Sequence, residues 1–534
     1  MSNAKITPQF HYSIAKSVFD DIATNTGHYN YFVSDTTPWD DLANVPEYSI
    51  SVSSETDIRS NMVSTKKVNI SDVSFVVPDN QWASGEIFDM YDDVVDMSTK
   101  KFYAISNNRI YKCLNNNGGV ASVTRPTGTE LFNISTPEGY IWKYMADIPT
   151  GFINKFAGSG MIPITRQIHN PYYSAGNILN ENVTIVTAGT AYDDQSYLVI
   201  AGDGTGADGT GTATATATLD GNGAVSAITI TDAGKGYTYA DLTIVKGAND
   251  TGSGATFEIS VGDYGNLDTN QAVVEDAAVD GSISTIIIEN GGSGYDIPGN
   301  VTATVVGDGT AGAISLTITD GVITDLIIDN YGSGYHYATI SITDSSPQQK
   351  GSGASLRVIL SPRGGHGYDL PRELKSTTLC LFNSLDEDKN HGIIVNNDYN
   401  QIGLIKGIEQ YGVTSKFSGA IGTTCYLIDA SSISPSVVIN TVIYMGTKTF
   451  RVISYDGSKV LLQSIQHNTD PSGTLFLDSD ATNTALTVTS ILLSPTINRY
   501  SGDIILAENR ITFSVTGDIN SGNQGVKFKS YISF

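Results

Sequence analysis

"IIIENGGSGYDIP" (residues 286–298) sets three isoleucines before a glycine-rich turn that ends on a tyrosine, and "LIIDNYGSGYHYA" (326–338) repeats the arrangement. A β-branched run stopped by Gly-Ser-Gly reads as a strand entering a turn. Isoleucine packs well on a pleated surface, and glycine supplies the positive φ that a tight turn needs. Moving outward, the same turn occurs as "GTAY" at 189, "GKGY" at 234 and, more loosely, "GHGY" at 365. From tyrosine to tyrosine the steps are 45, 58, 40 and 33 residues, so the period is irregular. Between the turns lie alternating strands such as "TATATATL" (212–219) and "GAISLTITDGVITDLIID" (312–329), the latter folded at Asp320-Gly321. A hairpin cannot bury its own face, so small β repeats stacked over 183–365 are predicted. Tyr237, Tyr295 and Tyr335 are expected to lie across neighbouring hairpins as structural plugs rather than to stack on a sugar.

Composition agrees with a sheet-rich chain. Of 534 residues 54 are glycine and only 16% are charged, against about 7% glycine and about 25% charge in average globular domains. The length suggests about three domains. A net charge of −25 repels a phosphate backbone, so nucleic acid is not an expected partner. The start "MSNAKITPQFHYSIAK" has no apolar leader, and no stretch approaches the ~18–20 apolar residues of a spanning helix. A soluble protein made in a cytoplasm, with no membrane partner, is expected.

The glycine loops invite sharper readings. "GDGTGADG" and "GDGTAG" satisfy GxGxxG at Gly204, Gly206, Gly209 and at Gly307, Gly309, Gly312. A dinucleotide site needs a helix N-terminus after those glycines, whereas these lead into strands. Calcium is the next candidate, through Asp203, Asp208 and Asp308, but no EF-hand pattern and no regular nonapeptide accompanies them. Turn chemistry is the expected role, with aspartate capping its own turn.

No catalytic constellation is found: HExxH, GxSxG and Walker A sequences are missing, and the seven histidines are scattered. The adjacent acids Asp20-Asp21, Asp92-Asp93 and Asp193-Asp194 point to opposite faces of a strand and read as solvated surface. Cys113, Cys380 and Cys425 sit in strand-like apolar settings and read as buried, unreactive thiols. No catalytic residue, cofactor or metal is expected. One helix is predicted after Thr7 and Pro8, with Ile14, Val18, Phe19 and Ile22 on its buried stripe and Gly27 beyond its end.

The two ends of the chain carry a family likeness. "YNYFVSDTTPWDD" (29–41), "KKVNISDVSFVVPDNQWASGEIFDMYDD" (66–93), "RIYKCLNNNGG" (109–119), "TPEGYIWKYMADIP" (136–149), and finally "SGDIILAENR" (501–510) before "KFKSYISF" (527–534) follow one another in order. This succession resembles the baseplate wedge subunit (gene eight product) family of T4-like contractile-tailed bacteriophages. The likeness holds for 1–182, thinly for 366–411 through "NDYNQIGLIKG", and for 496–534. After "ENR" the family's proline-containing segment is replaced by "ITFSVTGDINSGNQG".

The resemblance implies a mainly β fold: a layered β-sandwich core with few small helices. Its parts would be 1–182, a return at 366–411 and closing strands at 496–534. The region 183–365 would be an inserted β-repeat module that could be deleted without unfolding the rest, and 412–495 a second small β insertion. The implied role is a non-enzymatic structural part of the tail baseplate within the virion, a homodimer in each wedge contacting other baseplate wedge proteins. Trp39, Trp82 and Trp142 are its candidate interface or core aromatics. Two alternatives stay open: a receptor- or glycan-binding tail protein using the Tyr/Gly-rich repeats, and a tail polysaccharide depolymerase, which would need paired carboxylates in a groove.

Overall fold

The strand-forming runs named above become strands: in a computed structural model the chain is 49% strand and 11% helix, a mainly β protein of several antiparallel sheets. The structure describes residues 7–23, 27–34, 39, 41, 43–49, 51–164, 178, 183–202, 204–206, 211–234, 237, 240–247, 250–259, 269–295, 298–347, 350–385, 397–465, 469–515 and 526–534. The expected helix forms as Pro8–Ala23. Its buried stripe is Tyr12, Ala15, Phe19 and Ile22, whereas Ile14 is exposed. The stripe is set by the i, i+3, i+4 spacing, which skips Ile14.

The chain divides into two compact units. The first holds 1–15, 74–380 and 531–534, and the second holds 16–73 and 381–530. The repeat region lies wholly in the first. The segments 366–411 and 496–534 each divide between the two.

In the first unit an antiparallel sheet orders the strands Tyr103–Ser106, Arg109–Asn115, Ile141–Asp147 and Ile134–Ser135. Its core shows what "PEGYIWKY" builds. Gly139 takes φ +88°, Tyr140 stacks on Trp142 with ring centres 5.3 Å apart, and Phe88 meets Trp142 edge-on at 5.3 Å. The Tyr140 hydroxyl donates to the Val120 carbonyl at 2.6 Å. Helix Thr269–Asp276 sends Val274 into the same cluster. In a second sheet Val73–Pro78 pairs antiparallel with Met161–Ile164. Phe534, the last residue, donates its N–H to Thr377 O at 3.0 Å, so the end of the closing apolar segment is tied by backbone pairing on one side.

The repeats are two modules of identical topology, each a nest of three hairpins. In the first, Val183–Thr190 pairs with Ser253–Ile259, Tyr197–Gly202 with Ala240–Val245, and Thr214–Leu219 with Val225–Asp232. In the second, Ile283–Ser293 pairs with Ser352–Leu360, Val301–Gly307 with Ala338–Asp344, and Ala313–Thr319 with Val322–Asn330. Each module is therefore two half-repeats folded back on one another. The irregular period has a simple origin: 45 and 40 residues separate the tyrosines within a module, and 58 separate those across the joint between modules.

The second module does not stand apart from the sheet before it. Ile359 is fully buried beside Leu114 and Tyr91, Thr285 Oγ1 donates to Leu114 O at 3.1 Å, and Arg357 grips Asp92 through both guanidinium nitrogens at 3.1 and 2.7 Å. Deleting all of 183–365 would uncover Leu114 and Tyr91 and leave Asp92 without Arg357.

The second unit has a five-stranded sheet ordered Ile421–Thr423, Met62–Lys67, Tyr29–Ser34, Asn397–Lys406, Asp503–Val515, and a closed six-stranded barrel from Cys425 to Leu493. Tyr426, Phe450, Val452, Leu462 and Leu486 fill the barrel, which occupies most of the span expected as a second β insertion.

Candidate functional site

The turn tyrosines and the loop glycines belong together. Tyr192, Tyr237, Tyr295 and Tyr335 are all buried, at 6%, 0%, 3% and 6% exposure. Each ring lies in a slot whose wall is a glycine of the other half-repeat. A Cβ at Gly252 would sit 2.3 Å from Tyr192, at Gly204 2.3 Å from Tyr237, at Gly351 2.1 Å from Tyr295, and at Gly309 2.4 Å from Tyr335. No real Cβ can approach a ring so closely, so glycine is required there for space rather than for a phosphate. All three glycines of the second GxGxxG motif, Gly307, Gly309 and Gly312, face Tyr335. The slots are closed by hydrogen bonds: Ala213 N–H donates to the Tyr237 hydroxyl at 2.6 Å, Gly312 N–H to that of Tyr335 at 3.2 Å, and Ala255 N–H to that of Tyr192 at 3.1 Å. The looser fifth tyrosine, Tyr368, is 53% exposed and plugs no slot.

Aspartates near the loops cap turns. Asp308 accepts the N–H groups of His336 and Tyr337 at 2.8 and 3.2 Å, and the His336 N–H holds its carboxyl below the usual carboxylate range. Asp203, Asp208 and Gly209 lie outside the described residues. Among the described residues no cluster of three or more His, Cys, Asp or Glu could hold a metal ion.

A buried ionic cluster sits at the junction of the first sheet and the second module. Lys112, on strand Arg109–Asn115, is wholly buried and donates to Glu373 Oε2 at 3.0 Å and to His366 Nδ1 at 3.1 Å. Its ammonium lies 3.9 Å from the centre of the Tyr91 ring. Glu373 Oε1 accepts Gly367 N–H at 2.8 Å. Burial alone would raise the Glu373 carboxyl, but the Lys112 ammonium outweighs it and holds it below its usual range. Burial, then the Lys112 ammonium, pushes His366 down to about 4. His366 Nε2 lies 2.9 Å from Ser284 Oγ.

Serine, histidine and glutamate in this order suggest a nucleophile and its base. The proton inventory runs the other way. Because Lys112 donates to Nδ1, the neutral ring carries its proton on Nε2 and must donate to Ser284 rather than accept from it. Ser284 is therefore not activated, and the cluster works as a brace.

Above the brace opens a cleft of about 460 Å³. Leu114 and Ile283 form part of its apolar lining, and His366 and Ser284 reach it from the brace. Asn133, Lys143, Asp329 and Asn330 supply polar groups, and Phe132 and Tyr331 flank them. The Lys143 ammonium donates to the Leu131 carbonyl, and burial lowers its pKa from the usual lysine value.

The three tryptophans have separate environments. Trp142 is fully buried core. Trp82 is half-buried, donates to Ser122 Oγ at 3.0 Å and lies 4.9 Å beneath the Arg125 guanidinium. Trp39, in the second unit, is half-buried and donates to Arg510 O at 2.8 Å. The expectation for Asp92-Asp93 is corrected. Asp92 is 9% exposed and held by Arg357, and Asp93 Oδ2 accepts Leu360 N–H at 3.2 Å. The cysteines are buried thiols outside any disulfide; burial raises those of Cys113 and Cys425. No described helix is long and apolar enough to cross a membrane.

Sequence reasoning missed Lys112, Glu373, Arg357 and the cleft. The partners of these charges lie more than 250 residues away along the chain, and no local spacing announces them. No protein-family model matches the chain, and no curated protein sequence matches it.

Proposed function

We propose that this protein is a structural subunit of a contractile phage tail baseplate, resembling the wedge subunit, and that it acts by holding neighbouring wedge proteins through rigid β surfaces rather than by chemistry. The identity rests on the ordered motifs at the two ends of the chain. The mechanical role rests on one observation: among the described residues, the Ser284–His366–Glu373 group is engaged in bracing. Lys112 faces His366 Nδ1 with a donor, which leaves the neutral ring its proton on Nε2, toward Ser284, where it cannot activate the hydroxyl. The repeat tyrosines are internal plugs. Such packing resists deformation because a filled core has discrete arrangements rather than a continuum. The partners are other wedge proteins and a second copy of the chain. Sedimentation of the purified protein tests the second: twice the 56.7 kDa chain mass is expected at micromolar concentration, and a monomer at all concentrations would count against the wedge reading.

A further inference from the structure

The fourth half-repeat breaks its own pattern at one position. Four residues before the slot tyrosine the chain has Ala188, Ala233 and Gly291 in the first three half-repeats, and Tyr331 in the fourth. The turn backbone is the same in all four, since the following Gly189, Gly234, Gly292 and Gly332 share φ of +65°, +62°, +68° and +62°, so it does not call for a large ring in the fourth. Tyr331 is nonetheless 45% exposed on the cleft above the brace, and Phe132 on the same cleft is 71% exposed. Two large rings left in water at one cavity are not accounted for by packing. Asn133 ties them together, donating its side-chain N–H to the Tyr331 hydroxyl at 3.5 Å.

We infer that this cleft binds a neutral saccharide. Ring faces are electron-rich and suit the C–H face of a pyranose; Asn330 Oδ1 already accepts Gly332 N–H at 2.9 Å and Asp329 Oδ2 accepts Ser315 Oγ, so the Asn330 amide N–H groups, the second Asp329 oxygen and the Asn133 amide are the donors and acceptors left for its hydroxyls. At about 460 Å³ the cleft falls in the ~300–1,000 Å³ range of small-ligand sites, and its mixture of apolar floor and few polar groups is typical of them. An anionic sugar is disfavoured: Asp329 stands on the lining, the Lys143 ammonium is engaged by Leu131 O, and the chain carries −25. The site lies outside the tyrosine slots, so the repeats contribute to recognition through Tyr331 and not through their plugs.

The test is saturation-transfer NMR of the full chain with neutral trisaccharides of glucose, galactose, mannose and N-acetylglucosamine, and with a glucuronate-containing trisaccharide and an unrelated tyrosine-rich peptide as probes of the other ligand classes. At least one neutral trisaccharide should receive saturation. Tyr331→Gly, which installs the residue of a sister repeat and so should fold, is expected to weaken that binding about tenfold or more, as is Phe132→Ser. Tyr197→Ser, at a 58% exposed ring in the first module, should not change it. Absence of saturation in every neutral sugar, binding confined to the glucuronate or the peptide, or unchanged affinity in both Tyr331→Gly and Phe132→Ser overturns the inference.

Discussion

Lys112 Nζ donates to His366 Nδ1 at 3.1 Å, and this contact decides which imidazole nitrogen carries the proton. It makes the ring a neutral spacer between a buried ion pair and Ser284. It also makes the junction sensitive to acid.

His366 is pushed down to about 4 inside the fold, below the ~6.5 of an exposed histidine. The unfolded chain therefore takes up the proton first. The stabilisation is complete above about pH 6.5 and is lost as pH falls toward 4. Urea midpoints measured from pH 7.5 to 4.5 should fall by on the order of 2–3 kcal/mol of stability through this group, and His366→Gln should flatten that part of the profile. An unchanged slope in the variant would place the acid sensitivity elsewhere.

Breaking the Lys112–Glu373 pair from one side leaves a bare charge in the core. Glu373→Gln and Lys112→Met should each cost about 3–5 kcal/mol, whereas the double replacement Lys112→Met/Glu373→Leu should recover much of the loss. Thermal unfolding of the three variants gives the coupling directly. Additive losses would mean that the two groups do not act as a pair.

Removing only the hydroxyl of Tyr237 keeps its ring but leaves Ala213 N–H unpaired, so Tyr237→Phe should cost about 1–3 kcal/mol. Tyr237→Ala empties the slot and should cost about 3–5 kcal/mol. Equal stability losses in denaturant titrations would show that the ring fills no slot.

Glycine substitutions separate space from turn geometry. A Cβ at Gly309 would meet Tyr335 at 2.4 Å and the Ser333 carbonyl at 2.6 Å, whereas one at Gly299 would meet nothing within 4 Å. Gly309→Ala should therefore cost about 1–3 kcal/mol through overpacking, and Gly299→Ala should stay within about 0.5 kcal/mol. Calorimetry of the two variants checks the difference.

These contacts also show what local pattern can carry. Strands, the positive-φ turns and the plugging role of Tyr237, Tyr295 and Tyr335 were legible, because alternation, glycine and aromatic bulk act within a few residues. The strand that follows Gly307, Gly309 and Gly312 was legible for the same reason. Which glycine receives which tyrosine was not, because the match is made by nested strand pairing between half-repeats. Asp92 read as surface because its charge is matched by Arg357, 265 residues on. His366 read as one of seven scattered histidines because its neighbours Lys112 and Ser284 meet it only in three dimensions. Tyr331 was hidden inside a repeat whose other copies carry Ala or Gly.

Under the proposed baseplate role, a cryo-electron microscopy map of the contractile-tailed particle produced together with this chain is the most direct measurement. Density for the chain should lie in the baseplate wedge, in two copies per wedge related by a local two-fold, with the flanks of the second module braced on the Tyr103–Asp147 sheet as in the isolated chain. Density confined to a tail fibre, or a particle lacking the chain altogether, would contradict the assignment.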